Sequence, residues 1–170
     1  KVRGGEIAVI FQDPMTPLNP VMRIGAQITE NPRAHETLSR QMARARAVDL
    51  LAQVGIPAPE SRLRDYPHQF SGGMRQRVMI AMALACRPKL IIADEPTTAL
   101  DVTIQAQIVD LFRDLAKRTG LTLVFIAHDL AIVRNLCERV VVMHHGEIVE
   151  EGPSERVFAR PEMPYTAALI

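Results

Sequence analysis

No window of the 170-residue chain comes near the roughly 18 uninterrupted apolar residues of a membrane-spanning helix, and Lys1 to Ile10 lacks the basic end, apolar run and small-residue cleavage site of a secretory signal. The expected location is the cytoplasm, and any service to a membrane is expected to come by docking on other subunits. Charge of one sign is also missing: 20 Lys and Arg against 19 Asp and Glu leave a formal net charge of +1. Such a balance offers no broad attraction to a phosphate backbone, so nucleic acid is not an expected partner. Cysteine is sparse. Cys86 and Cys137 are far apart and neither belongs to a Cys-x-x-Cys pair, so no spacing supports a metal or redox site, and both are expected to be buried free thiols. The five histidines are scattered apart from His144 and His145. Adjacent strand residues point to opposite faces, which suits one metal ion poorly, so an exposed turn is expected there.

What is present describes a folded domain. The chain is 48% hydrophobic and 23% charged, an ordinary globular balance. At this length about 70% of the unfolded chain's surface becomes buried, enough for one real core. Ile7 to Phe11, Leu90 to Ala93, Leu121 to Ala127 and Val140 to Met143 read as buried strands. Val102 to Thr119 reads as a helix, with Ile104, Ile108, Leu111 and Leu115 on one face, Asp101 to cap its start and Gly120 to end it. Strand, helix, strand with long connections implies a largely parallel sheet with right-handed crossovers, an α/β class. Gly146 to Glu151 reads as a hairpin return. From Pro20 to about Arg87 helix signals replace strand signals, and Met42, Ala45, Val48 and Leu51 mark an expected core stripe. Pro57, Pro59 and Pro67 punctuate this helical insertion.

Two segments carry chemistry. Leu90, Ile91, Ile92 and Ala93 run into Asp94 and Glu95, placing two carboxylates at the carboxyl end of a strand, the edge where open α/β sheets bind ligands. There an aspartate can hold Mg2+ through water and the next carboxylate can orient and deprotonate an attacking water. A solvated strand end explains the pair equally well when it is taken alone. The second segment, Phe70, Ser71, Gly72, Gly73, Met74, Arg75, Gln76 and Arg77, precedes an apolar helix from Val78 to Ala85. Ser71 can cap that helix, and two glycines leave backbone N–H groups open at its positive end, a seat for phosphate. A plain glycine turn before a core helix is the alternative.

Taken in order, Phe70 to Arg77, Leu90 to Asp101 and His128 resemble the signature motif, Walker B, D-loop and switch histidine of ABC ATPases. Gln12, following the strand Ile7 to Phe11, is similar to the family's Q-loop glutamine. Phe11, Gln12, Asp13, Pro14 with Leu18, Asn19, Pro20, the Met74 and Arg75 version of the signature, and the tail Pro161, Glu162, Met163, Pro164, Tyr165, Thr166 resemble the ATP-binding subunits of oligopeptide, dipeptide and nickel permeases. Met163 and Pro17 depart from that group's usual histidine and serine.

The resemblance implies a partial P-loop-type ABC ATPase core in residues 1–19 and 88–152, a helical subdomain in 20–87 and the start of a carboxyl-terminal segment in 153–170. It implies ATP and Mg2+ as cofactors, Glu95, His128 and Gln12 as catalytic residues, and Asp94 and Gln12 as metal residues. Ser71, Gly72, Gly73, Met74 and Asp101 are implied to meet ATP across a head-to-tail dimer. The implied partners are a second ATPase subunit, identical or paralogous, two transmembrane permease subunits and, indirectly, an extracytoplasmic solute-binding protein. The implied location is the cytoplasmic face of the membrane, and peptide, nickel and other small solutes all stand as cargo.

One motif of the family is missing. No Gly-x-x-x-x-Gly-Lys-Ser/Thr occurs, nor any Gly-Lys pair. That loop cradles the β- and γ-phosphates and supplies the magnesium hydroxyl. An amino-terminal piece is therefore expected to precede Lys1, the tail is expected to continue past Ile170, and the chain alone is expected to hydrolyse no ATP. Two other readings compete. A non-transport ABC ATPase acting on DNA or ribosomes would carry long coiled-coil insertions or a basic stripe, and neither appears. A non-catalytic docking module would have no evident need for Glu95 and His128.

Overall fold

The computed structural model describes residue 2 and residues 4–12, 18–98 and 100–170. Asp13, Pro14 and Pro17, which entered the resemblance, and Ala99 within the Leu90 to Asp101 run lie outside the described residues. The chain divides into two compact units, Lys1–Ile126 and Ala127–Ile170.

In the first unit, β1 (Ile7–Ile10), β2 (Leu90–Asp94) and β3 (Thr122–Ile126) form a parallel sheet in the order β1-β2-β3. Ile10 pairs with Ala93, Ala93 with Phe125 and Asp94 with Ile126, which fixes Asp94 at the carboxyl edge. Side chains alternate across the strands. Ile10, Ile91 and Ala93 on one face are buried, whereas Val9, Val124 and Ile126 on the other are 44–46% exposed. The buried face is covered by helices: α4 (Gly72–Leu84) touches β1, and Phe112 of α5 (Val102–Thr119) meets Phe125 of β3 edge-on at 5.7 Å.

The expected helix from Val102 to Thr119 forms with those bounds because its ends are written locally. Asp101 accepts from the Ile104 N–H, and Gly120 takes the left-handed conformation, φ 67°, at the end. Between β1 and β2 the chain is helical, with α1 (Ile24–His35), α2 (Arg40–Gln53), α3 (Pro59–Arg62), a short 3-10 turn at Pro67–Gln69, and α4. Pro59 and Pro67 each open an element, where a missing N–H costs nothing.

The expected core stripe on α2 is not the observed one. Met42 is 58% exposed and Ala45 is exposed, while Ala43, Ala47, Leu50 and Leu51 are buried. A strict spacing of three falls behind the 3.6-residue turn, so Met42 and Leu51 cannot share a face; the 43, 47, 50, 51 spacing stays on one side. The guanidinium of Arg77 joins three helices by donating to the Val54 carbonyl (2.6 Å) beyond α2 and to Gln107 Oε1 (3.2 Å) on α5.

The second unit holds α6 (Leu130–Leu136), β4 (Arg139–His144), β5 (Glu147–Pro153), α7 (Ser154–Ala159) and α8 (Pro164–Leu169). β4 pairs antiparallel with β5 instead of extending the parallel sheet. His145 (φ 50°) and Gly146 (φ 84°) form a two-residue left-handed turn, which makes local pairing the short route. That turn also corrects the expectation of opposed histidines, because the His144 and His145 rings lie 4.0 Å apart and His144 also meets Tyr165 at 4.0 Å. Val140, Val142 and Val157 make this unit's core, with Phe158 and Tyr165 packed against them. Cys86 and Cys137 are free but only partly buried, and burial pushes both thiols up.

Candidate functional site at the carboxyl edge of the sheet

The candidate site begins where β2 ends. Glu95 has φ 45°, a left-handed conformation costing a side-chain-bearing residue about 1–3 kcal/mol. Its N–H donates to the Ile126 carbonyl at 3.0 Å, which anchors the sharp turn to β3. The turn directs the carboxylate toward two donors. Gln12 Nε2 donates to Glu95 Oε2 at 3.0 Å, and Thr98 Oγ1 donates to the same oxygen at 2.9 Å. A residue from the end of β1 and one 83 positions later thus meet at one carboxylate. Both of these donors are neutral.

Asp94 is exposed beside this centre, and its side chain makes no hydrogen bond or ion pair among the described residues. An oriented strand-end aspartate with its oxygens open suits a hydrated divalent cation, and the bound Glu95 beside it suits a water-orienting role. The described residues fit a hydrated Mg2+ at this edge on that ground.

The glycine segment sits at the start of α4. Ser71 Oγ accepts from the Met74 N–H at 3.3 Å, so the expected cap forms. The N–H groups of Gly72 and Gly73 fall in the first turn, where no intrahelical acceptor exists. The second glycine is required by packing: a Cβ on Gly73 would lie 2.6 Å from Ile104 Cγ2, and one on Gly72 would lie 3.7 Å from Leu100. The starts of α4 and α5, capped by Ser71 and Asp101, are therefore in contact.

His128 is exposed and precedes α6, whose cap is Asp129. It belongs to the second unit, Gln12 and Glu95 to the first.

Two supporting residues had escaped the sequence reading. Thr98 holds Glu95, and its three-residue spacing from a turn carboxylate was the available signal. Gln27, buried on α1, donates to the Asn19 (3.0 Å) and Met22 (2.9 Å) carbonyls and accepts from the Asn19 N–H (2.9 Å). It fixes residues 19–22 against α1, and a glutamine inside a helix gave no sequence sign of that.

This sheet edge, where the Glu95 carboxylate is oriented by Gln12 from the end of the neighbouring strand, belongs to a parallel-sheet core of the α/β class. Comparison makes the assignment specific: the ABC transporter family matches residues 1–98, and the chain belongs to it. The oligopeptide transport ATP-binding protein OppD of Bacillus subtilis is 59% identical over 99% of this chain and 47% of its own length. The dipeptide transport ATP-binding protein DppD of Escherichia coli is 57% identical over 98% of this chain and 51% of its own. The glutathione import ATP-binding protein GsiA of the same species is 55% identical over 99% of this chain and 27% of its own. The chain spans about half the length of the first two. Among solved structures, a dimeric post-hydrolysis state of the ATP-binding cassette MJ0796 bound to ADP and Pi matches with a TM-score of 0.76 at 31% identity, over 89% of this chain and 64% of that one.

Proposed function

We propose that these 170 residues are the greater part of the ATPase domain of an ABC importer subunit for peptides or related small solutes, acting at the cytoplasmic face of a membrane through permease subunits. The observation that carries the reading is the Gln12–Glu95–Thr98 centre beside an open Asp94. The peptide and glutathione transport names of the relatives support the cargo class.

In this reading Glu95, held by Gln12 and Thr98, orients the attacking water and takes its proton, a role typically worth about 10²–10⁴-fold in rate. Asp94 and Gln12 would hold Mg2+, and His128 would join Glu95 and Gln12 in the catalytic set. ATP supplies the anhydride that is cleaved, and Mg2+ neutralises its phosphates. Ser71, Gly72, Gly73, Met74 and Asp101 serve nucleotide across the interface with a second ATPase subunit; the dimeric, ADP-bound MJ0796 supports that pairing. Residues 1–19 and 88–152 act as catalytic core, 20–87 as the helical arm and 153–170 as the beginning of a tail segment.

Because no Gly-Lys pair occurs in the chain, the isolated protein is expected to hydrolyse no ATP. Phosphate release from purified chain with ATP and Mg2+ tests this, and turnover abolished by Glu95→Gln would overturn it. Co-purification with two permease subunits tests the transport reading; association with DNA or ribosomes in their place would contradict it.

A further inference from the structure

A cavity of about 370 Å³ opens on the helical arm between α1, α2 and the residues after α3. This volume lies in the range of small-ligand sites, about 300–1,000 Å³. Five arginines line it: Arg23, Arg33, Arg40, Arg44 and Arg64. A quarter of the chain's 20 basic residues thus meet at one cavity of a protein whose formal net charge is only +1.

Local partners offset little of that charge. Arg44 reaches Glu60 at 3.0 Å, an exposed pair worth little in water, and Arg23 lies 5.9 Å from the Tyr66 ring centroid. Arg33, Arg40 and Arg64 have no carboxylate within ion-pair distance among the described residues. The floor is apolar and low, made by Ala43, Ala47 and Leu63. Small side chains there let a ligand settle between the guanidinium groups.

We propose that this cavity binds a compact oligophosphate, either free or as the headgroup of an anionic lipid. Guanidinium groups pair with phosphate oxygens in bidentate fashion, and several must be matched within one small volume. A chain of phosphates concentrates three or more negative charges in one small volume, whereas peptide carboxylates carry one charge each on separate side chains. The site is separate from Gln12, Glu95 and Ser71, so the proposal stands or falls independently of the transport reading.

Calorimetric titration of the 170-residue chain with inorganic tripolyphosphate at low salt tests it, alongside co-sedimentation with vesicles of phosphatidylcholine with and without a phosphatidylinositol bisphosphate. Saturable tripolyphosphate binding is expected to weaken about tenfold for each guanidinium removed in Arg33→Ala, Arg40→Ala and Arg64→Ala. The corresponding lysine variants, which keep the charge and lose the fork, should fall between. All three side chains are exposed, so the variants should keep the parent melting curve. Capture by phosphatidylinositol bisphosphate vesicles alone, lost in the same variants, would place the phosphates on a lipid. Binding of neither probe, binding undiminished in the triple alanine variant, or equal affinity for poly-glutamate would overturn the proposal, the last in favour of an acidic protein partner.

Discussion

Glu95 and Glu150 are both held by hydrogen bonds, but from donors of different kinds. Glu95, at the sheet edge, takes two neutral side-chain donors, Gln12 and Thr98, on one oxygen. Glu150, on β5, is buried with its side chain 3% exposed, and its two oxygens accept the Glu162 and Met163 N–H groups at 3.0 and 3.2 Å. Arg156 stands 3.7 Å from it and also binds Glu162. The Glu162 N–H first, then the Met163 N–H and the Arg156 charge, hold the Glu150 carboxyl below the usual carboxylate range against the opposing effect of burial. Fixed backbone donors and a cation make a carboxylate a structural pin. Glu95 sits instead on a left-handed turn with two neutral side-chain donors, an orientation that in the proposed function serves the attacking water.

The contrast predicts effects that do not cross. With the matching segment of OppD replaced by these residues, Glu95→Gln should lower ATP turnover about 10²–10⁴-fold while leaving the melting temperature nearly unchanged. Glu150→Gln should do the reverse, lowering the melting temperature and sparing turnover per folded molecule; equal losses of turnover in both variants would erase the distinction.

The pH dependence sharpens it. A carboxyl lowered in the folded state contributes stability above its unfolded value, and that contribution is lost as pH falls below about 4.5 toward the folded value. Denaturant melts of wild type should weaken through that window, and those of Glu150→Gln should show a shallower fall. Gly73→Ala, which pushes a methyl into Ile104, should cost about 1–3 kcal/mol by the same melts. Thr98→Val is expected to be mildest in stability, about 0.5–1.5 kcal/mol, with turnover reduced about tenfold through a loosened Glu95.

Features written in a few neighbouring residues were legible in the sequence. Asp101 and Gly120 bounded α5, Ser71 capped α4, and the apolar runs before Gln12, Asp94 and His128 gave the three parallel strands to within a residue or two. The meeting of Gln12 with Glu95 spans 83 positions, and no local rule predicts it; only the order of motifs suggested that the two belong together. Where several patterns fit one segment, reading failed, as on α2, where Ala43 and Ala47 look too small to mark a core but pack because they are small. Glu150 was invisible for a related reason. Its donors are backbone N–H groups 12 and 13 residues away, and a backbone donor leaves no mark on composition or periodicity.

The most direct test of the account is Mg2+-dependent ATP turnover measured side by side for the 170-residue chain, for OppD carrying it in place of its own segment, and for that chimera with Glu95→Gln. The account predicts no turnover, turnover, and turnover reduced about 10²–10⁴-fold. A chimera that hydrolyses ATP equally well without the Glu95 carboxylate would contradict it.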